Sequence, residues 1–320
     1  MKILLYTPHV DDAPAWLASL TRALPGAEIR LWTPGDNAPA DYAVVWRPPA
    51  EFFASRAGLR AVFVLGAGVD ALLSLEARSP GTLPADVPLV RLEDTGMAMQ
   101  MADYATHAAL RYMRRFDEYE LAQRTRPDEA PWRTLEPHPR ETFHVGVLGL
   151  GALGAHVARS LAALGLPVRG YSRTAKTIEG VATFAGEDEQ ALPAFLDGLK
   201  LVVNLLPSTP ATDGILNRQT FSHLAPGAYL INLARGAHLV EHDLIDALNE
   251  GRLAAATLDV FAQEPLPADH PFWRMPRVTI TPHISALTLR EPAIEQIARK
   301  IDALARGETI GGIVDRLRGY

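Results

Sequence analysis

The 320-residue sequence contains no cysteine. This absence excludes disulfide bonds, thiolate metal sites and cysteine nucleophiles. Basic charge is not in excess either, since 31 Lys and Arg residues face 37 Asp and Glu residues, which gives a net charge of −6. Dedicated nucleic-acid-binding proteins usually carry a basic surplus or stripe, so we expect no nucleic-acid partner.

Long apolar runs are missing as well. No run reaches the roughly 18 residues that a membrane span needs. The N-terminal apolar stretch is short and meets Asp11 and Asp12, which is unlike a signal peptide. We therefore expect a cytoplasmic protein with no membrane partner. Hydrophobic residues make up 48% of the chain, a share typical of folded domains, and the length favours two of them.

Short β-rich runs alternate with helical stretches, which indicates an α/β fold with parallel sheets. We predict helices over Pro14–Leu24, Val69–Ala77, Met97–Phe116 and Glu291–Arg306, and an extended surface segment over the proline-rich Arg124–Arg140. The predicted strands are Ile3–Tyr6, Glu28–Trp32, Tyr42–Trp46, Ala61–Leu65, Pro88–Leu92, His144–Leu148, Pro167–Tyr171, Leu201–Leu205, Ala228–Asn232, Ala255–Leu258 and Val278–Ile280.

A glycine-rich motif follows one of these strands and opens an alanine-rich helix. Gly149, Gly151 and Gly154 form G-x-G-x-x-G, with Ala152 and Leu153 between them. In this context the glycines allow a tight turn, close approach of the backbone to a pyrophosphate, and close packing of helix on strand. The N–H groups of the helix start then hold the phosphates. The sequence predicts a dinucleotide site, with an ordinary strand–helix turn as the alternative.

The following strand indicates which dinucleotide binds. An NAD site usually places an acidic residue at the end of this strand. Here the strand ends in Ser172, Arg173, Thr174 and Lys176, with no carboxylate before Glu179. Because these residues offer donors and positive charge to a 2′-phosphate, we predict NADPH as cofactor, with NADH used more weakly. A merely solvated basic loop is the alternative.

Three later strands are each followed by a group suited to hydride-transfer chemistry. Arg235, Glu264 and His283 all come after apolar strands, so they can converge at one sheet edge. A protonated histidine can give a proton to a ketone oxygen, and a carboxylate beside it favours the imidazolium. An arginine can pair with the carboxylate of a 2-oxo acid. Any one of these residues alone would more often be structural.

Several motifs together carry a family resemblance. They are V-W-R-P-P (Val45–Pro49), L-G-A-G-V-D (Leu65–Asp70), R-L-E-D-T-G-M (Arg91–Met97), Y-S-R-T (Tyr171–Thr174), N-L-L-P-S-T-P (Asn204–Pro210), N-L-A-R-G (Asn232–Gly236), L-D-V-F-A-Q-E-P-L-P (Leu258–Pro267) and T-I-T-P-H-I-S-A (Thr279–Ala286). Over essentially its whole length the sequence resembles the D-2-hydroxyacid dehydrogenase family, and within it the glyoxylate/hydroxypyruvate reductase A branch. Arg47 departs from that branch, in which histidine is common at this position.

The resemblance implies a homodimeric, NADPH-dependent reductase that converts glyoxylate to glycolate and hydroxypyruvate to D-glycerate. It implies His283 as proton donor, Glu264 as its partner and Arg235 as a substrate-binding residue. The further substrate contacts that it implies are Trp46, Ala67 and Gly68. The implied cofactor contacts, beyond the glycine loop and the basic turn, are Leu206, Pro207, Leu233, Ala234, Asp259, His283 and Ala286.

The resemblance also implies the architecture. We expect two doubly wound parallel-sheet α/β domains, Rossmann-like and flavodoxin-like, with a cleft between them. Residues 1–97 and 286–320 would form a discontinuous substrate-binding domain, and residues 98–285 the NADP(H)-binding Rossmann domain.

Two alternative functions stay open from the sequence, and a zinc site is rejected. The segment His238–His242 matches the zinc pattern H-x-x-E-H, but it lies at a strand-to-helix junction, so we expect no metal. Lactate-, phosphoglycerate- or formate-type dehydrogenases share the family motifs. The chain end at Tyr320 would leave no room for an appended regulatory domain, and a formate enzyme would be expected to carry glutamine where Glu264 stands. A nucleotide-sensing corepressor could also keep the polar residues without catalysis.

Overall fold

A computed structural model describes residues 1–54, 56, 58–125, 132–186 and 190–320. The elements in chain order are β1 (Lys2–Tyr6), α1 (Ala13–Ala23), β2 (Glu28–Leu31), β3 (Tyr42–Val45), β4 (Ala61–Val64), α2 (Asp70–Arg78), β5 (Leu89–Val90), α3 (Met97–Met113), α4 (Phe116–Thr125), β6 (Val145–Leu148), α5 (Ala152–Ala163), β7 (Val168–Ser172), β8 (Val181–Ala185), α6 (Ala191–Leu196), β9 (Leu201–Asn204), α7 (Arg218–His223), β10 (Ala228–Asn232), α8 (Glu241–Asn249), β11 (Leu253–Leu258), β12 (Val278–Ile280) and α9 (Arg290–Ala305).

Residues 1–96 and 288–320 form one compact unit. Its five parallel strands lie in the order β2-β1-β3-β4-β5, the doubly wound order of flavodoxin-like sheets. All residues of β3 and β4 are buried, as expected for central parallel strands covered on both faces. Helix α9 joins this unit by packing on α1, where Ser19 donates a hydrogen bond to Glu291 at 2.7 Å.

Residues 97–287 form the second compact unit. Its seven parallel strands lie in the order β12-β11-β10-β9-β6-β7-β8, so the strand order reverses between β6 and β9. Ligands of open α/β sheets bind outside the carboxyl ends of the strands at such a reversal. Helices α3 and α5 cover one face, with Ala105, Ala109 and Val157 fully buried among the strands. The predicted class of two parallel-sheet α/β domains is confirmed.

Two elements differ from the sequence prediction. The helix predicted over Met97–Phe116 ends at Met113, because Arg115 adopts a left-handed backbone with φ +58° and a separate helix, α4, begins at Phe116. The strand β8 was not predicted, since it lies at the sheet edge and none of its residues is fully buried. Of the segment predicted to be extended, Arg124 and Thr125 are helical, residues 126–131 lie outside the described part, and 132–139 have no regular structure.

In the described part of the chain, no helix is both long enough and apolar enough to cross a membrane.

Candidate active site

The glycine-rich loop joins β6 to α5 at the reversal of strand order. Gly149 has φ +95°, a left-handed backbone that favours glycine. A Cβ at Gly154 would overlap the carbonyl oxygen of Gly149, so only glycine allows α5 to start this close to the strand. A Cβ at Gly151 would meet nothing within 4 Å, and Ala152 at the helix start is exposed. The open N-terminus of this 12-residue helix therefore fits a pyrophosphate.

The turn after β7 carries the basic residues. Ser172 is buried, and its hydroxyl donates a hydrogen bond to the carbonyl oxygen of Thr174 at 2.8 Å. Its side chain therefore shapes the turn. Arg173, Thr174 and Lys176 are exposed, and no carboxylate stands among residues 170–178. An exposed, cationic turn at this position fits the 2′-phosphate of NADP(H).

Two buried asparagines at neighbouring strand ends were not singled out from the sequence. The amide nitrogen of Asn204 donates to Oδ1 of Asn232 and to Nδ1 of His238, each at 2.9 Å. Asn204 Oδ1 accepts the N–H of Leu206, and Asn232 Nδ2 donates to the carbonyl of Arg235 at 3.1 Å. This network therefore fixes the loop after β9 to the loop that carries Arg235. The paired N-L motifs at the ends of adjacent strands were the signal for it.

The central polar pair lies after β11 and β12. Nδ1 of His283 lies 2.9 Å from Oε2 of Glu264, and the other carboxylate oxygen accepts the N–H of Phe261 at 3.1 Å. The His283 side chain is 36% exposed and that of Glu264 27%, so the pair is open to a ligand. Arg235 follows the next strand in the sheet, β10, so all three groups lie at the same sheet edge. With Nδ1 directed at a carboxylate, Nε2 is the nitrogen that can donate a proton to a substrate.

A buried carboxylate shapes the loop that carries His283. Asp259 is fully buried, and its side chain accepts the N–H groups of Ile284 and Ser285, each at 2.8 Å. Its carbonyl accepts the N–H of His283, also at 2.8 Å. His283 itself has φ +56°, which is uncommon for a residue other than glycine. The family resemblance implies Asp259 as a cofactor contact. In the structure its hydrogen bonds go to the loop that carries His283.

The other predicted cofactor contacts follow strands of this sheet, apart from Leu153, which lies in α5. Leu206 and Pro207 follow β9 and are half-buried, while Leu233 and Ala234 follow β10 and are buried; Leu153 and Ala286 are half-buried.

The predicted substrate contacts Trp46, Ala67 and Gly68 belong to the first unit. Trp46 follows β3, and the lack of a side chain at Gly66 makes room for its indole ring. Ala67 and Gly68 follow β4 and are half-buried, and within the described residues their N–H groups donate no hydrogen bond to other protein groups. Arg47 is exposed, has φ +44°, and stacks its guanidinium 5.4 Å from the centre of the Trp46 ring.

The H-x-x-E-H segment does not form a metal site. His238 is buried against Asn204, whereas His242 is 78% exposed on α8. In the ranges that the structure describes, no three potential ligands cluster around a common point.

Comparison with known proteins agrees with this geometry. The sequence-family model described as the NAD-binding domain of D-isomer specific 2-hydroxyacid dehydrogenase matches residues 106–285. The chain is 60% identical over 320 residues to a protein of Serratia proteamaculans named glyoxylate/hydroxypyruvate reductase A, covering both chains fully.

Solved structures show the same fold. A D-isomer specific 2-hydroxyacid dehydrogenase from Xanthobacter autotrophicus in complex with NADPH superposes with a TM-score of 0.91, at 42% identity, covering 100% of this chain and 99% of that one. An NADPH-dependent glyoxylate/hydroxypyruvate reductase from Sinorhizobium meliloti, in complex with NADP and sulfate, gives a TM-score of 0.89 at 34% identity and the same coverage. The family resemblance in the sequence is thus confirmed: the chain belongs to the D-isomer specific 2-hydroxyacid dehydrogenase family.

Proposed function

We propose that this chain is an NADPH-dependent reductase of small 2-oxo acids, converting glyoxylate to glycolate and hydroxypyruvate to D-glycerate. Relatives with these activities in their names match it over its full length. The observation that carries the catalytic assignment is the hydrogen bond of 2.9 Å between His283 and Glu264, at the same sheet edge as Arg235 and the glycine loop.

The residues present fit NADPH. The start of α5 and the glycine loop would hold its pyrophosphate, and the turn containing Arg173 and Lys176 would hold the 2′-phosphate. When bound, NADPH supplies the hydride that reaches the carbonyl carbon of the 2-oxo acid. The relatives solved with NADPH or NADP support the same cofactor here.

The protein's own groups supply the proton and the orientation. His283 donates the Nε2 proton to the carbonyl oxygen as that oxygen becomes a hydroxyl. Glu264 holds the imidazole through Nδ1 and leaves Nε2 for the substrate. Arg235 pairs with the substrate carboxylate and helps to polarise the carbonyl.

Ala67, Gly68 and Trp46 are further proposed substrate contacts. The N–H groups of Ala67 and Gly68 suit a carboxylate, and the indole of Trp46 offers an apolar wall. We also propose a cytoplasmic homodimer whose partners are small 2-oxo acids rather than nucleic acids or membranes. Sedimentation at working concentration tests the dimer, and cell fractionation tests the location.

The decisive experiment is a panel of 2-oxo acids assayed with each nicotinamide cofactor. We expect turnover of glyoxylate and hydroxypyruvate with NADPH, and weaker turnover with NADH. Faster turnover of pyruvate or 3-phosphohydroxypyruvate would indicate a lactate- or phosphoglycerate-type enzyme instead. If no 2-oxo acid leads to oxidation of NADPH, that result would favour a binding protein of the corepressor kind.

A further inference from the structure

A chain of hydrogen bonds ties the His283 loop to helix α3. The hydroxyl of Tyr104, on α3, lies 2.6 Å from that of Thr281, which follows β12. Thr281 in turn donates to Oδ1 of Asp259, also at 2.6 Å. The same carboxylate accepts the N–H groups of Ile284 and Ser285. Contacts from a distant helix therefore converge on the loop that carries the proton donor.

Counting protons shows which group donates in each of these hydrogen bonds. Thr281 has a single hydroxyl proton, and it donates that proton to Asp259. At its contact with Tyr104, Thr281 can therefore only accept, so Tyr104 is the donor. Burial raises the pKa of Tyr104, so the phenol keeps the proton that this bond needs.

The loop needs such support because of its backbone. His283 has φ +56°, a conformation that a histidine holds only when its surroundings enforce it. Asp259 enforces it from both sides: its carbonyl accepts the N–H of His283, and its carboxylate accepts the N–H groups of Ile284 and Ser285. Thr281 holds one oxygen of that carboxylate in place.

We propose that Thr281 and Tyr104 are positioning residues that act through Asp259 to hold the imidazole of His283 where it can protonate the substrate. This inference rests on the proposed role of His283. It assigns a function in the reaction to a helix residue and a threonine that touch no reacting atom.

The test compares Thr281→Val, which removes the hydroxyl but keeps the shape, with Thr281→Ser, which keeps the hydroxyl. We expect Thr281→Val to lower kcat on hydroxypyruvate by roughly tenfold to a hundredfold, as for a misplaced catalytic group, with little change in the Kd for NADPH. Thr281→Ser should restore most of kcat. Tyr104→Phe should also lower kcat, but by less than Thr281→Val does. It provides a second test if Thr281→Val folds poorly.

The same substitutions in a His283→Asn background separate this inference from the proposed function. Thr281→Val should cause no further loss there, because its effect passes through His283. A further loss in that background, or a parallel loss of NADPH affinity, would overturn the positioning role. If His283→Asn is inactive but Thr281→Val and Tyr104→Phe turn over normally, this inference alone is wrong. If His283→Asn keeps full turnover, the proposed role of His283 as proton donor is itself wrong.

Discussion

Glu264 holds one nitrogen of His283 and leaves the other for the substrate, which explains why a glutamate rather than its amide stands here. Glu264→Gln keeps the size but replaces the carboxylate that holds Nδ1 of His283 with a neutral amide. We expect kcat to fall by roughly tenfold or more, within the range for impaired general acid catalysis, with NADPH binding retained. Steady-state kinetics with fluorescence titration of NADPH measure both. An unchanged kcat would show that the carboxylate only braces the loop at Phe261.

Arg235 is expected to act on the substrate rather than on the cofactor. Arg235→Ala should lower kcat/KM for glyoxylate by roughly a hundredfold, because a charge-assisted pair of hydrogen bonds to the carboxylate is lost. Arg235→Lys, which keeps the charge without the planar fork, should recover only part of this loss. Collapse of NADPH affinity in Arg235→Ala would contradict the assignment.

Among single residues, the sequence points more readily to the proposed catalytic groups than to the residues that hold them in place. Arg235, Glu264 and His283 stand in recognisable motifs after apolar strands. The contacts of Asn204 with His238 and of Tyr104 with Thr281 join residues 34 and 177 positions apart, so only the fold reveals them.

Among the elements, the turn after β7 is expected to set the cofactor preference. Replacing Arg173 and Lys176 together by alanine should lower kcat/KM with NADPH by roughly tenfold or more, through lost charge-assisted contacts, and leave NADH use nearly unchanged. Arg159→Ala, at an exposed site on α5, is the matched control for removing surface charge. An NADPH-to-NADH ratio equal to that of the wild type would refute the role of this turn.

Helix α4 carries a carboxylate that disfavours the folded state at neutral pH. Burial raises the pKa of Asp117 to about 6 from its usual 3.8, with Arg111 opposing part of the shift. Among the described residues, no hydrogen bond reaches its buried Oδ1. Ionisation of Asp117 is therefore costlier in the folded state than in the unfolded one, and stability falls as the pH rises through this window.

Asp117→Asn should consequently raise the free energy of unfolding by about 1–3 kcal/mol at pH above about 7, the order of magnitude of such a shift. The gain should disappear below about pH 3, where the carboxyl is protonated in both states. Urea unfolding at the two pH values measures it. A gain independent of pH would show that packing, not charge, is responsible.

The helix break before α4 is also a feature that sequence patterns do not predict. Neither glycine nor proline marks the end of α3, and Arg115 takes its left-handed backbone while pairing with Glu118 at 2.7 Å. Such a break depends on side-chain contacts rather than on residue preferences. The edge strand β8 was not predicted for a related reason, because its partial burial leaves no continuous apolar run.

For the molecule as a whole, the strand order could be predicted from the sequence because doubly wound sheets follow few topologies. Among the described residues, ten parallel pairings between strands form two such orders, one in each unit. The cleft between the domains and their exact boundaries stay predictions. In each unit, loops follow the carboxyl ends of the parallel strands, where ligands of such sheets bind.

The most direct test of this account is the single-turnover rate of NADPH oxidation by hydroxypyruvate in the wild type and in His283→Asn. We predict that the substitution lowers this rate by roughly a hundredfold or more, as for a lost general acid, while NADPH still binds. A rate close to that of the wild type, throughout the pH range in which the wild type is active, would contradict the assignment of His283 as the proton donor.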